Sequence, residues 1–594
     1  MNEQEKMPYR RQPKTLESLS LRQVCEHLHQ MCRQLQTFSQ NMSSEWAFSF
    51  AKQILRPYYV NAIPASLRSR IIEETSKMLY TPTSGGSFLN SGPAPLYLLT
   101  VLLGHDIKQL RVNLCCYYGC SHQTLLLDLL ASEGKGIQTL ELARSALLTL
   151  EPNHFNSALL NMKNLLSLTL RNIASDQILE IIGKACTKLE ILDVACSKQV
   201  TDEGLRQLLT EKELRDNEMD TSPESTNWTK LKALVSKLKS RPCTRSTAKK
   251  KKNLRLSSLQ YHESRNPICK TLKVLNIANT SVTHAGVMKA LLMLSKLESL
   301  AEYNHMGGVV EMMNVLNDDV LLSLTQARSC KTSDAHLELL AQLCPRIEML
   351  HIFEPLHPPE MLKLFPCVTS LRIHGIPVDN IWLNNFYEYL RTNGSQLQEL
   401  HLHVIRKIAI LTIDLKHIFN NCSNLRQLMT DGSNIIWSEG PDPSPLRDLQ
   451  KVRLGHEVYA LALTKILSLA PQLTTLHIHR CPDLNSSHFK QFFTKPLRFG
   501  KNYKLTDKIE NSLVQNLSCF FIYETNNISE KTVLDIINNW RSLKKIGNLS
   551  TWGLSFSGIT VLKGSLEDAN LDLELCNGSH WFWSSCIHSN LNTM

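Results

Sequence analysis

Apolar positions along most of this chain obey one rule: two leucine-type residues three apart, then a third two places on, with polar residues between them. Leu165, Leu168 and Leu170 set the pattern, and Leu189–Leu192–Val194, Leu272–Leu275–Ile277, Ile347–Leu350–Ile352 and Val368–Leu371–Ile373 repeat it. Leu397–Leu400–Leu402, Leu449–Val452–Leu454 and Leu473–Leu476–Ile478 continue it, and weaker copies start at Leu110–Val112–Leu114 and Leu140–Leu142. The steps from Leu165 to Leu189 and from Leu449 to Leu473 are both 24 residues. Alternation at the end of each motif predicts a short strand, and the remaining residues suffice for a helical return. Such a unit cannot bury its apolar face alone, so the units must stack around one continuous core.

A different period governs the first part of the chain. Leu21, Val24, Cys25, Leu28, Met31, Cys32 and Leu35 fall at helical steps, which predicts one amphipathic helix. A second helix is expected from Trp46 to Leu55, stopped by Pro57, and a third after Pro64 with Leu67, Ile71 and Ile72 on one side. The Ser/Gly/Pro-rich stretch from Thr81 to Pro95 separates this block from the repeats.

The period is that of a leucine-rich repeat. The expected fold class is therefore α/β: a curved leucine-rich-repeat solenoid, parallel strands on the concave face, helices outside, with an all-α N-terminal cap. The organisation expected is a disordered 1–14, a helical cap 15–80, a linker 81–95, a repeat array 96–554 and an atypical C-terminal tail 555–594. Residues 211–268 are expected to interrupt the array as a disordered basic insertion, since they hold too few apolar side chains to pack as a repeat. The turns Val200-Thr201-Asp202-Glu203-Gly204-Leu205 and Val282-Thr283-His284-Ala285-Gly286-Val287 resemble those of the cysteine-containing subclass of these repeats. There Thr or Asp caps the return helix and Gly allows close packing. Cys186, Cys344 and Cys422, each before a new strand, are expected as small buried side chains.

Charge alters this picture in one place. The net charge is +11, and the segment from Thr226 to Arg255 alone holds eleven Lys or Arg without a single carboxylate. The remainder is balanced, which argues against a surface that coats nucleic acid. Lys249, Lys250, Lys251 and Lys252 have the composition of a nuclear import signal, of a contact for an anionic partner, or of a solvated linker. No apolar signal segment opens the sequence, and its longest apolar run, around Leu96–Leu103, is too short for a bilayer. With 17 cysteines, this predicts reduced thiols in the cytoplasm or nucleus and no membrane partner.

Candidate chemistry is sparse. The sequence has no phosphate-binding glycine loop, nucleophile elbow or H-E-x-x-H, so no enzyme, catalytic residue or cofactor is expected. Cys115, Cys116, Cys120 and His122 cluster, as do Cys576, His580, Cys586 and His588, but neither set has the two separated pairs usual for structural zinc. His351, His374, His401, His403, His477 and His479 fall on or just after strands, between the leucines. Alternation places them on the exposed concave face as candidates for contacting a protein substrate.

The cap carries a more specific signal. Ser20-Leu21, with Cys25 four residues on and Leu28 beyond, resembles the start of the elongin-binding box of VHL-box and SOCS-box proteins, although His29 stands where an apolar residue is usual. Ile63-Pro64-x-x-Leu67-x-x-x-Ile71 is similar to a cullin 2-type box. The layout resembles the leucine-rich-repeat substrate receptors of cullin–RING ubiquitin ligases, including the zyg-eleven-like ones. The resemblance implies that Leu21, Cys25 and Leu28 anchor elongin C while Ile63, Pro64, Leu67 and Ile71 meet the cullin. It also implies a substrate-recognition subunit that is not itself an enzyme. Ile63-Pro64-Ala65-Ser66-Leu67 also resembles the opening of an F-box, whose adaptor is Skp, but the usual closing segment is replaced by the Ser/Gly/Pro break. A repeat scaffold without a ligase role is the third reading.

Overall fold

A computed structural model describes residues 15–41, 44–80, 94–114, 123–144, 150–211, 265–315, 320–405, 410–493 and 514–576. Each motif becomes a strand. β1 (Gln109–Leu114), β2 (Thr139–Arg144), β3 (Ser167–Thr169), β4 (Ile191–Asp193) and β5 (Val274–Asn276) lie side by side in chain order. A second sheet orders β6 (Gln326–Cys330), β7 (Met349–Phe353), β8 (Ser370–Ile376) and β9 (Glu399–Val404) next to one another. β10 (Thr412–Asp414) and β12 (Asn434–Ile436) form a small pair of their own. The larger sheet continues from β9 through β11 (Gln427–Asp431), β13 (Lys451–Glu457), β14 (Thr475–Arg480), β15 (Cys519–Glu524), β16 (Lys545–Gly547) and β17 (Glu574–Cys576). The named strands all pair in parallel, and Ser299 bridges Val274 on one side and Gln326 on the other, joining both sheets into one ladder.

The register explains why the middle leucine is the most regular position. Leu350 pairs with Leu371, Leu371 with Leu400, Leu400 with Leu428, Leu428 with Val452 and Val452 with Leu476. Every one of these side chains is fully buried, so the motif's centre becomes an unbroken apolar column. Each is worth about 2 kcal/mol of transfer from water. Return helices cover the other side. Because a helix is about 10 Å wide and neighbouring strands lie about 4.8 Å apart, the stack bends with strands inside.

The turns that open these return helices do more than cap. The helices Asp176–Ala185 and Asp202–Leu209 belong to successive repeats. Asp176 at the start of the first accepts hydrogen bonds from Thr201 N (2.8 Å) and Thr201 Oγ1 (2.7 Å). One repeat on, Asp202 accepts from Thr283 N (2.7 Å) and Oγ1 (2.6 Å). Gly204 and Gly286 leave the room those carboxylates occupy; a Cβ at either would collide with the Asp of the preceding repeat. The glycine therefore serves an inter-repeat hydrogen bond as well as close packing. Cys186, Cys344 and Cys422 terminate their helices and are buried; burial pushes each thiol up to about 12.

The cap comprises α1 (Leu16–Asn41), α2 (Ser44–Phe50), α3 (Arg56–Ala62) and α4 (Ala65–Tyr80), packed on α5 (Ala94–Leu102). Arg56 reaches Glu133 (2.7 Å) and donates to Thr100 O (3.0 Å), and Arg68 pairs with Asp106 (3.2 Å), which ties the cap to the first repeat. Pro57 does not stop the second helix as expected. One wide π turn, Ala51–Leu55, precedes it, and the chain passes into α3 with Pro57 in its first turn and α-helical angles at Arg56. A proline ring clashes in a regular α-helix interior, but it is tolerated in a first turn.

The repeat boundaries also shift. The helix after the break starts at Ala94, inside the expected linker. The array resumes at Arg265 rather than after 268: Arg265 bridges Thr210, and buried Asn266 donates to Leu208 O (2.9 Å). It also runs past Leu554, since the helix Phe556–Asp568 and β17 add another unit whose strand pairs with β16. Leu571 and Leu573, buried there, carry a motif too degenerate to read from sequence. The expected disorder of 1–14, most of the 81–95 break, most of the insertion and the aromatic tail from 577 lie outside the described residues.

Candidate functional site

Two surfaces hold the residues singled out above. The first is the concave strand face. Side chains that alternate with the buried column form a row whose order is fixed by register. Arg328 pairs with His351, His351 with Arg372, Arg372 with His401, His401 with Met429, Met429 with Arg453 and Arg453 with His477. Seven consecutive positions thus hold three arginines, three histidines and no carboxylate.

The histidines are not the wet surface that alternation alone suggests. His351, His401 and His477 are 5%, 9% and 8% exposed, because neighbouring rows crowd over them on an inward-bending sheet. His374, His403 and His479 are half-buried. Rings pack together: His351 lies 4.2 Å from Phe353 on its own strand and 4.7 Å from His374 on the next, both tilted, and His374 stacks on His403 at 5.2 Å. Burial, reinforced by neighbouring cationic and imidazole groups, holds His351 well below the usual imidazole range. The same causes bring His374 down to about 4 and His401 to about 3; burial and Arg453 bring His477 to about 4. All four are therefore neutral at neutral pH.

Carboxylates flank the row without entering it. Glu399 accepts from Ser370 Oγ (2.9 Å) and Arg372 Nη2 (3.1 Å), and Asp431 lies 3.8 Å from His403. At the other end of the row, Arg171 binds Asp193 (2.7 Å) and Glu302 (2.9 Å), and Asn276 donates to Asp193 (3.1 Å). That network closes on itself. Arg328 makes no hydrogen bond or ion pair among the described residues. Burial and Arg372 lower its pKa, with Glu302 opposing. Sequence reasoning found the histidines and missed the three arginines. The signal was available: Ala327-Arg328-Ser329, Leu371-Arg372-Ile373 and Val452-Arg453-Leu454 place Arg where the sister repeats place His.

The second surface is on the cap. α1 and α4 pack side by side, which brings the two adaptor-like segments together. A groove of about 500 Å³ runs between them, lined by Leu21, Arg22, Cys25, Arg70, Lys77 and Met78, among others. Of the expected elongin anchors, Cys25 and Leu28 are 2% and 0% exposed and belong to the block's own core, so only Leu21 keeps a face to solvent. Of the expected cullin contacts, Ile63 and Ile71 are buried, Leu67 is half-buried and Pro64 is exposed. A helix of this amphipathicity must spend its most central positions on its own neighbours, and α1 spends Cys25 and Leu28 so.

Other candidates are not brought together. Lys249–Lys252, the cluster from Cys115 to His122, and His580, Cys586 and His588 lie outside the described residues. Among the described residues no group of His, Cys, Asp or Glu is placed to hold a metal, and no helix is long and apolar enough to cross a membrane.

No protein-family model matches the chain, and no curated protein matches its sequence. Among solved structures it is similar to the yeast Rad7–Elc1 complex, at 13% identity and a TM-score of 0.37 over 88% of this chain and 96% of that one. An internalin from Listeria monocytogenes aligns at 13% identity and a TM-score of 0.34, covering 72% of this chain and 89% of that one. A leucine-rich-repeat protein of Leptospira interrogans gives 15% identity and 0.33 over 78% and 100%. The parallel ladder, the leucine column and the outer helices make this chain an α/β leucine-rich-repeat solenoid with an all-α N-terminal cap.

Proposed function

We propose that this chain is the substrate-recognition subunit of a cullin–RING ubiquitin ligase, holding a protein target on its concave strand face and a ligase adaptor on its cap. It performs no chemistry in this reading. It raises the effective concentration of the target beside the ubiquitin-charged partner. The observation that carries the proposal is the α1–α4 groove. The elongin-box segment and the segment after Pro64 are far apart in sequence, yet their helices share one open, half-apolar groove with Leu21 in its wall. A helix that presents a leucine beside such a groove suits helix-in-groove recognition. Of the motif residues, Leu21 and Cys25 line that groove; Leu28, Ile63 and Ile71 are buried in the cap, and Leu21, Leu67 and Pro64 are the ones with a face left to touch a partner.

The test is capture of elongin C, Skp and cullins from cell extract by the full chain and by Leu21→Glu. Elongin C and a cullin should come down with the unaltered chain and be lost with the variant. Skp in their place would make it an F-box-type receptor, and none of the three would leave a protein-interaction scaffold outside ligases.

A further inference from the structure

The concave row is built for a particular kind of target. In the stretch from Arg328 to His477 the only charged side chains of the row are Arg328, Arg372 and Arg453. Between the first two lies His351, 5% exposed, with both ring nitrogens lacking any partner. Arg372 Nε is also buried and without a hydrogen bond. Unmatched buried donors are costly to leave unmade, and two arginines on either side of one imidazole repel each other. An anion over His351 offers acceptors to Arg328, to the part of Arg372 that Glu399 leaves unmatched and to the single N–H of the neutral imidazole.

We propose that this row binds an anionic side chain of a partner protein, a phosphate monoester or carboxylate on an extended peptide crossing the strands, with Arg328 and Arg372 gripping the anion over His351. This deepens the target-binding half of the receptor reading and rests on it. Arg328 and Arg372 stand two strands apart, about 10 Å, and each guanidinium can lean over the intervening strand. Their planar forks suit the two-point hydrogen bonding that phosphates and carboxylates accept. Arg453 lies three strands beyond Arg372, about 14 Å, which an extended peptide covers in about four residues. A second acidic residue at that separation is therefore part of the recognised pattern. A nucleic-acid backbone fits poorly. The basic strip is one residue wide and is flanked by Glu302, Glu399 and Asp431, which would repel a continuous line of phosphates.

The experiment measures binding of fluorescent degenerate peptide libraries to the full chain at physiological salt. Their fixed central residue is phosphothreonine, glutamate or threonine. Expected is retention of an anionic library over the threonine one. Phosphothreonine alone identifies a phosphorylated target, and equal retention of glutamate identifies an acidic one. Arg328→Gln should weaken binding by about tenfold or more, and Arg453→Gln should weaken it while leaving the melting temperature in place. Arg111→Gln, on β1 outside this row and paired with Glu141, should bind as the parent does. Equal binding of the threonine library, full binding by Arg328→Gln combined with Arg453→Gln, an equal loss in Arg111→Gln, or preference for single-stranded oligouridine each overturns the proposal. Leu21→Glu should keep peptide binding. Adaptor capture without anionic peptide binding therefore sinks this inference alone, and peptide binding without adaptor capture sinks the ligase reading alone.

Discussion

Acid should unfold the second half of this solenoid well before carboxylate titration would, and His401 and His477 supply a large part of the effect. Burial comes first and nearby Arg372 or Arg453 follows in pulling their folded-state values down to about 3 and about 4. Unfolded, each imidazole returns to 6.5. A base whose folded value is depressed binds protons more tightly when unfolded. Its contribution is complete above the unfolded value and disappears as pH falls through 6.5 toward the folded values. At about pH 5 each histidine has lost about 2 kcal/mol relative to pH 8, or about 4 kcal/mol for the pair. That is a large share of the 5–15 kcal/mol typical of a whole domain, so roughly that much movement should be visible. Geometry agrees with the sign: Gln427 Nε2 lies 3.3 Å from His401 Nε2, a contact that needs an unprotonated ring nitrogen. Urea midpoints across this pH range, with hydrogen exchange to locate the opening, measure the effect. His401→Gln combined with His477→Gln should make the profile shallower and spare β1 to β5, with His351 and His374 supplying the slope that remains. A profile that is flat in the parent, or equally steep in the double variant, refutes the reasoning.

Three further outcomes follow from the contacts described. Asp202→Ala removes the acceptor for both Thr283 N and Oγ1 and should cost about 2 kcal/mol, while Asp202→Asn should recover part of it, read by thermal melting. Gly432→Ala should destabilise by about 2–3 kcal/mol in the same assay, since Gly432 has φ +76° and a Cβ there meets the Val404 carbonyl. Cys25→Asp should unfold the cap, seen as lost helical signal, whereas Leu21→Glu should leave the melting curve unchanged and abolish adaptor capture.

How much of this was legible depended on whether local spacing carried the information. The leucine column was, because burial acts directly on residue type: Leu350, Leu371 and Leu400 pack into one spine and each has to be apolar. Repeats whose inward side chains shrink were not. β6 presents Ala327 and Ser329 inward, and Ser299 stands where a strand is missing, so the motif vanishes although the ladder continues. The concave arginines illustrate a second limit. Nothing in one repeat says that Arg328 faces Arg372 across His351; only the register, a long-range property, aligns them. On the cap, the helical period of α1 identified its apolar side correctly but not which neighbours would cover it. Cys25 and Leu28 therefore read as anchors until α4 and α5 were seen to occupy them.

The placement of the two surfaces bears on how they could cooperate. Arg56 and Arg68 fasten the cap to the first repeat, and the basic row begins only at β6. From β1 to β6 there are six steps along the ladder, counting Ser299 as one, or roughly 29 Å of stacked strands. In a solenoid each unit contacts only its neighbours, so a bound target can influence the α1–α4 groove only by changing every interface between them. Those interfaces are held by the fully buried leucines of β2 to β5 and by the Asp176–Thr201 and Asp202–Thr283 hydrogen bonds. The intervening repeats therefore act as a rigid spacer, and adaptor affinity should be the same with and without an anionic peptide on the row. A measured coupling between the two would point to a bistable element between β1 and β6 and overturn the spacer reading.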